Sequence, residues 1–253
     1  MIYVVTGLVL FLVFFLFKAR GLVAVLLSER SMRAGDYDGA LRTIRWASLG
    51  IPNVATLHKQ GLVLSLAGRP AEAAACYREA IAMARGTIYP VERLHACHGY
   101  ALMDLGRYDE AEECFHEAIE AGDHTGNSQD GLAEIRLLLG REPGYALSYA
   151  NQAIQHAARR PGGRVPGSYY AHQAWALALL DRREEAREAL DQALRAGASN
   201  ARGSASLHWR VGMVLLAMER VDEARTHFQI GAEADPGGKY GGRCREHYCT
   251  EFR

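Results

Sequence analysis

The sequence predicts an all-α protein, a right-handed superhelical solenoid of about six helix–turn–helix units preceded by one transmembrane helix. Two observations lead to this prediction. A short pattern of mostly polar residues that ends on an alanine recurs six times along the 253 residues, and four of the copies begin with a glycine. A run of sixteen residues without charge, 2–17, precedes the first copy. Units that repeat at a regular period bury their apolar faces by stacking on one another.

The period of the pattern is that of a pair of helices. The alanines that end the copies are Ala40, Ala73, Ala111, Ala146, Ala186 and Ala224, and successive ones lie 33, 38, 35, 40 and 38 residues apart. Four copies begin with a glycine, which can end a helix in the left-handed conformation that a side chain resists. In the last two copies the glycine is lost, and Asp181 and Glu219 begin the pattern instead.

Small and aromatic residues recur at helical spacing on both sides of each turn. In the second unit Gly61 and Ala73 allow the two helix backbones to approach closely, and Tyr77 fills the space beside them. The third unit repeats this arrangement with Gly99 and Phe115.

These positions and a period near 34 residues resemble the tetratricopeptide repeat. The resemblance covers roughly residues 21–238, which is nearly the whole chain. It implies a scaffold that binds other proteins on a concave face lined by the first helix of each unit.

The spacing divides the chain into five segments. They are an anchor (1–20), units one to four (21–158), a basic loop (159–167), units five and six (168–238) and a cysteine-containing tail (239–253). The loop contains prolines and glycines that cannot continue a helix. We expect it to be a flexible joint between the two groups of units.

The charge-free run 2–17 is predicted to be an uncleaved membrane anchor. As a helix it would be about 24 Å long, and the stem of Lys18 can extend it toward the roughly 30 Å of a bilayer core. A cleaved signal peptide would require basic residues before the run and small residues after it, and the sequence has neither feature. Lys18, Arg20, Arg30 and Arg33 follow the run, so the positive-inside rule places the repeats in the cytoplasm.

Composition argues against nucleic-acid binding and against catalysis. The 29 Lys and Arg residues balance 29 Asp and Glu residues, so no basic excess is available to neutralise phosphates. The sequence contains no phosphate-binding loop, nucleophile–base signature or zinc-protease motif. We therefore predict no catalytic residue, no metal site and no cofactor. The odd number of cysteines, five, favours a reducing compartment.

Two groups of possible metal ligands remain. His95, Cys97 and His98 cluster at a helix start without a fourth ligand nearby in sequence, and packing of the histidines is the preferred interpretation. The tail offers Cys244, His247 and Cys249, whereas a structural zinc site takes four ligands with closely spaced cysteine pairs.

An N-terminal anchor, repeats and a C-terminal cysteine segment together resemble bacterial membrane-anchored repeat proteins of the lipopolysaccharide-assembly B type. Proteins of that family carry two Cys-x-x-Cys pairs of rubredoxin kind, whereas this tail has one Cys-x4-Cys. The resemblance therefore implies the architecture, a cytoplasmic repeat array on the inner membrane.

A partner-binding groove is predicted on the first helices. Its residues are His58, Lys59, Leu62, Arg93, Tyr100, Asp130, Glu134, His172, Trp175, Trp209, Arg210 and Met213. The C-terminal half of this set is aromatic and apolar, which suits the hydrophobic anchors of a bound peptide or helix, and the middle carries mixed charge.

The leading hypothesis is a non-catalytic adaptor that spans the bacterial inner membrane once and holds a protein partner at its cytoplasmic face. A second hypothesis keeps the fold but faces the repeats outward, as a periplasmic factor of envelope assembly. A third, of a different class, is a metal-binding regulatory protein that uses the cysteines and histidine of the tail.

Overall fold

A computed structural model describes residues 26–48, 53–197 and 203–251 of the chain. Within these ranges it contains thirteen α-helices and no β-strand, so the prediction of an all-α fold is confirmed. The helices are α1 (26–34), α2 (Tyr37–Ser48), α3 (Val54–Leu66), α4 (Pro70–Ala84), α5 (Val91–Asp104), α6 (Tyr108–Glu120), α7 (Asn127–Leu138), α8 (Pro143–Arg159), α9 (Gly167–Leu179), α10 (Arg183–Gly197), α11 (Gly203–Ala217), α12 (Val221–Ala234) and α13 (Lys239–Glu251). They form six pairs, α1–α2 to α11–α12, and α13 follows the sixth pair.

The turn within each pair contains a residue in the left-handed backbone conformation. The glycines that begin the first four copies have φ values between +61° and +74°. Asp181 and Glu219 take the same conformation in units five and six, with φ of +57° and +62°. The left-handed conformation is less favourable by about 1–2 kcal/mol for a residue that has a side chain. Each of the last two units therefore adopts the same turn with one strained residue.

The helices of a pair approach closely because a glycine on the first helix leaves room for an aromatic ring of the second. A Cβ atom added to Gly61 would lie 2.6 Å from the ring of Tyr77, and one added to Gly99 would lie 2.8 Å from the ring of Phe115. Ala73 is fully buried in the same core as Tyr77. The packing predicted for these small residues is therefore confirmed.

The predicted basic loop joins two helices that are in direct contact. α8 ends at Arg159 and α9 begins at Gly167, and the two helices pack against each other. Val165, inside the loop, is buried in one cluster with Ala157 and Tyr169. Flexibility of this loop stays a prediction.

The predicted anchor, 1–20, lies outside the described residues. Of the helices within 26–48, 53–197 and 203–251, none combines the length and the apolar character that a membrane span requires. The anchor therefore stays a prediction from the sequence.

The cysteine-containing tail forms a helix, α13, that turns back toward the first half of the chain. Lys239, its first residue, lies against the turn at Gly68, with 3.8 Å from the Lys239 Cα to a Cβ built on that glycine. Just before α13, Asp235 accepts a hydrogen bond of 3.0 Å from the Tyr37 hydroxyl. The two ends of the array are therefore in contact.

Candidate functional site

The first helices of units two to six lie side by side. α3, α5, α7, α9 and α11 each contact the next one in this order, so their inward sides form one surface, which we call the concave face. All twelve predicted groove residues lie on these five helices.

A line of hydrogen-bonded side chains, one from each of four helices, crosses the concave face. The Tyr100 hydroxyl donates to the backbone oxygen of Asn127 at 2.8 Å and lies 3.4 Å from Asp130 Oδ2. Asp130 Oδ1 lies 2.7 Å from His172 Nδ1, and Arg210 Nε donates to His172 Nε2 at 2.8 Å. Because a guanidinium can only donate, Nε2 must accept, which assigns the ring proton to Nδ1 and directs it to Asp130.

Glu134, one helical turn after Asp130, is a fully buried carboxylate at the centre of this line. It accepts a hydrogen bond of 2.7 Å from Arg210 Nη2, and Arg243 Nη1 lies 3.4 Å from its second oxygen. Burial, the largest single effect, would raise the pKa of Glu134, but the positive charges around it, of which Arg210 contributes most, together outweigh burial and hold the pKa well below its usual range. Glu134 is therefore a buried charge stabilised by arginines on α11 and α13.

Side chains of α13 complete the charged centre. Lys239 Nζ lies 2.6 Å from one oxygen of Asp104, and Arg243 Nη2 lies 2.8 Å from the other. The Tyr240 hydroxyl accepts a hydrogen bond of 3.2 Å from Arg210. The Asp104 side chain, at the end of α5, is only 7% exposed. We call Asp104, Asp130 and Glu134 the acidic patch.

Sequence reasoning missed Asp104 and the three α13 residues that bind near it. The available signal was the spacing of Lys239, Tyr240 and Arg243 at i, i+1 and i+4, which places all three on one side of a helix. That signal identifies a cationic and aromatic helix face, but its acidic counterpart lies in another unit of the array.

Three side chains at this centre have the chemistry of metal ligands. Asp130, Glu134 and His172 bring three ligand atoms within 4.8 Å of one another. The guanidinium of Arg210 lies among them and donates to both Glu134 and His172. A cation in this position would have to displace a buried guanidinium, so these side chains fit an ion-pair network better than a metal centre.

The side chains of Cys244, His247 and Cys249 in the tail lie in three different environments. Cys244 is fully buried, and its Sγ lies 3.8 Å from the backbone oxygen of Ala205. Burial raises the pKa of this thiol to about 12. Cys249 is exposed, and the ring of His247 stacks on Phe228 at 5.2 Å. The three side chains therefore do not converge on one point.

The histidines of α5 contact α6. His95 Nδ1 lies 2.8 Å from a carboxylate oxygen of Glu117, and His98 Nδ1 lies 3.4 Å from Cys114 Sγ. All four residues border a cavity of about 340 Å³ between α4, α5 and α6. Burial lowers the pKa of His98 and raises that of Cys114 to about 12, which keeps both groups in their neutral forms at pH 7.

One cysteine–histidine pair approaches the arrangement of a nucleophile and its base. Cys97 Sγ lies 3.7 Å from His58 Nε2. Burial raises the pKa of Cys97 to about 11. Burial also lowers the pKa of His58, and the charge of Arg93 is a second, smaller cause of that shift. A catalytic thiolate requires a lowered thiol pKa, so this pair has the opposite character.

The aromatic half of the predicted groove requires a correction. Trp175 and Trp209 lie on the first helices, but they are only 4% and 2% exposed, and their rings meet edge to face at 6.3 Å. The guanidinium of Arg243, on α13, covers the Trp209 ring at 4.7 Å from its centroid. Both tryptophans are core residues, so the prediction that they receive the hydrophobic anchors of a bound peptide is wrong: Trp175 packs against Trp209, and α13 covers Trp209.

The residues in the middle of the predicted groove are also largely buried. Asp130, Glu134, His172 and Arg210 are each 3% exposed or less. Tyr100 and Met213 are half-buried and pack against core clusters. These six residues lie on the predicted helices, and the first four have almost no access to solvent.

The N-terminal part of the predicted groove remains accessible. Arg93 is exposed, and His58, Lys59 and Leu62 are half-buried. His58 Nδ1 lies 2.8 Å from the Tyr89 hydroxyl, which orients the imidazole. We call His58, Lys59, Leu62 and Arg93 the open surface; it combines two cations with one apolar side chain.

Comparisons with known proteins agree with this architecture. Tetratricopeptide-repeat models match residues 172–239 and 98–121 of the chain. A search of curated proteins gives no match.

Among solved structures, the Cut9–Hcn1 hetero-tetramer of the APC/C matches 92% of this chain with a TM-score of 0.66 and 14% identity. A thermophilic TPR protein of Thermus thermophilus matches 78% of this chain and 97% of its own, with a TM-score of 0.57 and 20% identity. PilW, a type IV pilus biogenesis factor, matches 71% of this chain and 79% of its own, with a TM-score of 0.57 and 19% identity.

The chain spans 43% of the length of the matched APC/C chain. At identities of 14–20% these likenesses concern the fold alone. They show an all-α, TPR-like solenoid fold for the described part of the chain, within which the segments 172–239 and 98–121 match tetratricopeptide-repeat models.

Proposed function

We propose that this protein is a non-catalytic scaffold that binds a protein partner on the open surface, and that its N-terminal segment anchors it in the bacterial inner membrane with the repeats in the cytoplasm. The observation that carries the proposal is the exposed part of the concave face on α3 and α5. Stacked helical repeats present such faces to extended partners.

The chemistry of the open surface indicates the character of the partner segment. Lys59 Nζ lies 3.5 Å from Glu29, and its side chain is 28% exposed. Arg93 is exposed and forms no ion pair with the described residues. Since Leu62 shares this surface with the two cations, the surface suits a segment that carries acidic residues and one apolar anchor, because opposite charges guide association and an apolar contact holds it.

Membrane attachment rests on the sequence. The charge-free run 2–17 and the basic residues Lys18, Arg20, Arg30 and Arg33 after it support a single span with the repeats inside. Assignment to bacterial envelope assembly rests on the resemblance to membrane-anchored repeat proteins of the lipopolysaccharide-assembly B type.

The test is a crosslinking pull-down from native membranes. Lys59→Glu/Arg93→Glu should reduce capture of the partner by about tenfold, equivalent to roughly 1.4 kcal/mol. The matched control is Arg187→Glu/Arg195→Glu on the second helix α10, where both side chains are exposed, at 58% and 83%. The control should capture the partner as well as the unmodified chain does.

Equal capture by the open-surface variant and the control would refute the assignment of this surface. Deletion of residues 1–20 should move the protein and its partner into the soluble fraction; a truncated chain that stays in membranes would refute the anchor. A reporter fused to the C-terminus distinguishes cytoplasmic repeats from the periplasmic alternative.

A further inference from the structure

The acidic patch is occupied by a segment of the same chain, and the fit of that segment is incomplete. Lys239 and Arg243 of α13 neutralise Asp104, and Arg243 also reaches Glu134. Beside these contacts a cavity of about 270 Å³ remains between α13 and the turn that begins at Gly68.

α13 is intrinsically a poor helix. Gly241 and Gly242 lie in its first turn and a half, and a glycine inside a helix is less favourable than alanine by about 0.8–1 kcal/mol. Gly242 borders the cavity, so no side chain from this position fills it. The position of α13 is therefore maintained by ion pairs and by the buried Cys244 more than by helical propensity.

Only one of the two glycines is required by its surroundings. A Cβ atom on Gly241 would lie 1.8 Å from the backbone oxygen of Asp235, whereas one on Gly242 would meet only the end of the Arg245 side chain at 3.9 Å. A helix from another protein can therefore carry a side chain at the position of Gly242, which makes the helix more stable and occupies part of the cavity.

We propose that the acidic patch is a second binding site, separate from the open surface, for a basic amphipathic helix of a partner protein. The matching pattern is the one that α13 presents: lysine, tyrosine and, four residues after the lysine, arginine, with a side chain larger than glycine directly before the arginine. α13 is the weak intramolecular occupant of this site, and the partner helix displaces it.

The exposure of Cys244 reports displacement of α13. This thiol is fully buried against α11 and α12, whereas Cys249 on the same helix is exposed. In the isolated chain an alkylating reagent should modify Cys249 quickly and Cys244 slowly. When α13 leaves the patch, Cys244 should react at a rate close to that of Cys249.

The probe is a synthetic peptide with the sequence of residues 236–251, altered by Gly242→Ala, Cys244→Ser and Cys249→Ser. It is added to the full-length protein, and alkylation of Cys244 is followed by peptide mass spectrometry. A tethered segment competes at an effective concentration of the order of millimolar. The glycine-to-alanine change should let this peptide displace α13 at a concentration about fivefold lower than the same peptide with Gly242 retained.

The matched control peptide carries Lys239→Glu and Arg243→Glu in addition, and it should leave Cys244 protected. If Cys244 of the unmodified protein stays protected from alkylation at every concentration of the alanine peptide, the proposal is overturned. Equal exposure of Cys244 by the control peptide would also overturn it, because recognition would not depend on the acidic patch. Since both arms use the unmodified protein, neither result depends on the folding of a variant or on the partner of the open surface.

Discussion

Replacement of Arg210 by methionine is expected to destabilise the protein strongly, although the two side chains have similar lengths. Arg210 donates to Glu134 at 2.7 Å and to His172 at 2.8 Å, and the Glu134 side chain is fully buried. Removal of one partner of a buried ion pair typically destabilises a protein by about 3–5 kcal/mol, because the remaining charge cannot be solvated. For a chain of this size we expect the melting temperature to fall by roughly 6–20 °C.

The measurement is thermal and urea denaturation followed by circular dichroism at pH 7. The matched control is Arg220→Met, which removes an arginine–glutamate contact of 2.6 Å to Glu223 at the surface, where the side chains are 37% and 56% exposed. Exposed pairs contribute about 0–1 kcal/mol. The double variant Arg210→Met/Glu134→Gln should lose less than the sum of the two single changes, because it leaves no unpaired buried charge. A loss for Arg210→Met equal to that of the surface control would refute the reasoning.

Two further predictions follow from burial. Trp209→Ala should destabilise the fold by about 3–5 kcal/mol in denaturation experiments, whereas Trp46→Ala, at a position 51% exposed, should have little effect; equal effects would contradict the core position of Trp209. His208 and His227 lie 2.8 Å apart through their Nδ1 atoms, and burial, followed by the charge of His208, lowers the pKa of His227 to about 4. Because the unfolded chain then binds more protons than the folded one, stability should be complete above pH 6.5 and fall by about 1 kcal/mol, after solvent screening, between pH 6.5 and 4. His227→Gln should flatten this part of the stability profile, and an unchanged profile would refute the assignment.

The helix pairs could be predicted from sequence because their signals are local. A glycine and the alanine after it act within one turn, and an aromatic residue such as Tyr77 packs against Gly61 of the same unit. The two units without the glycine still follow the pattern, since Asp181 and Glu219 accept the left-handed conformation. Each of these signals depends on neighbours within about twenty residues.

The solvent exposure of the predicted groove residues could not be predicted from such local signals. Trp209 has the spacing of a first-helix residue, but its burial depends on Arg243 and the rest of α13. Arg243 and Asp104 are separated by 139 positions in the chain, and no repeat pattern links them. The sequence therefore placed the groove residues on the correct helices and misjudged which of them reach solvent.

Contact between the two ends of the array changes how the protein must fold. In an open solenoid each unit depends only on its neighbours, so the first units can become stable while later ones are still being synthesised. Here Asp104 and Glu134, in units three and four, receive two of their cations from α13. The early units therefore reach full stability only after α13 has left the ribosome, and the six units should then gain protection from hydrogen exchange together. Loss of α13 alone would lower the stability of units more than a hundred residues away from it.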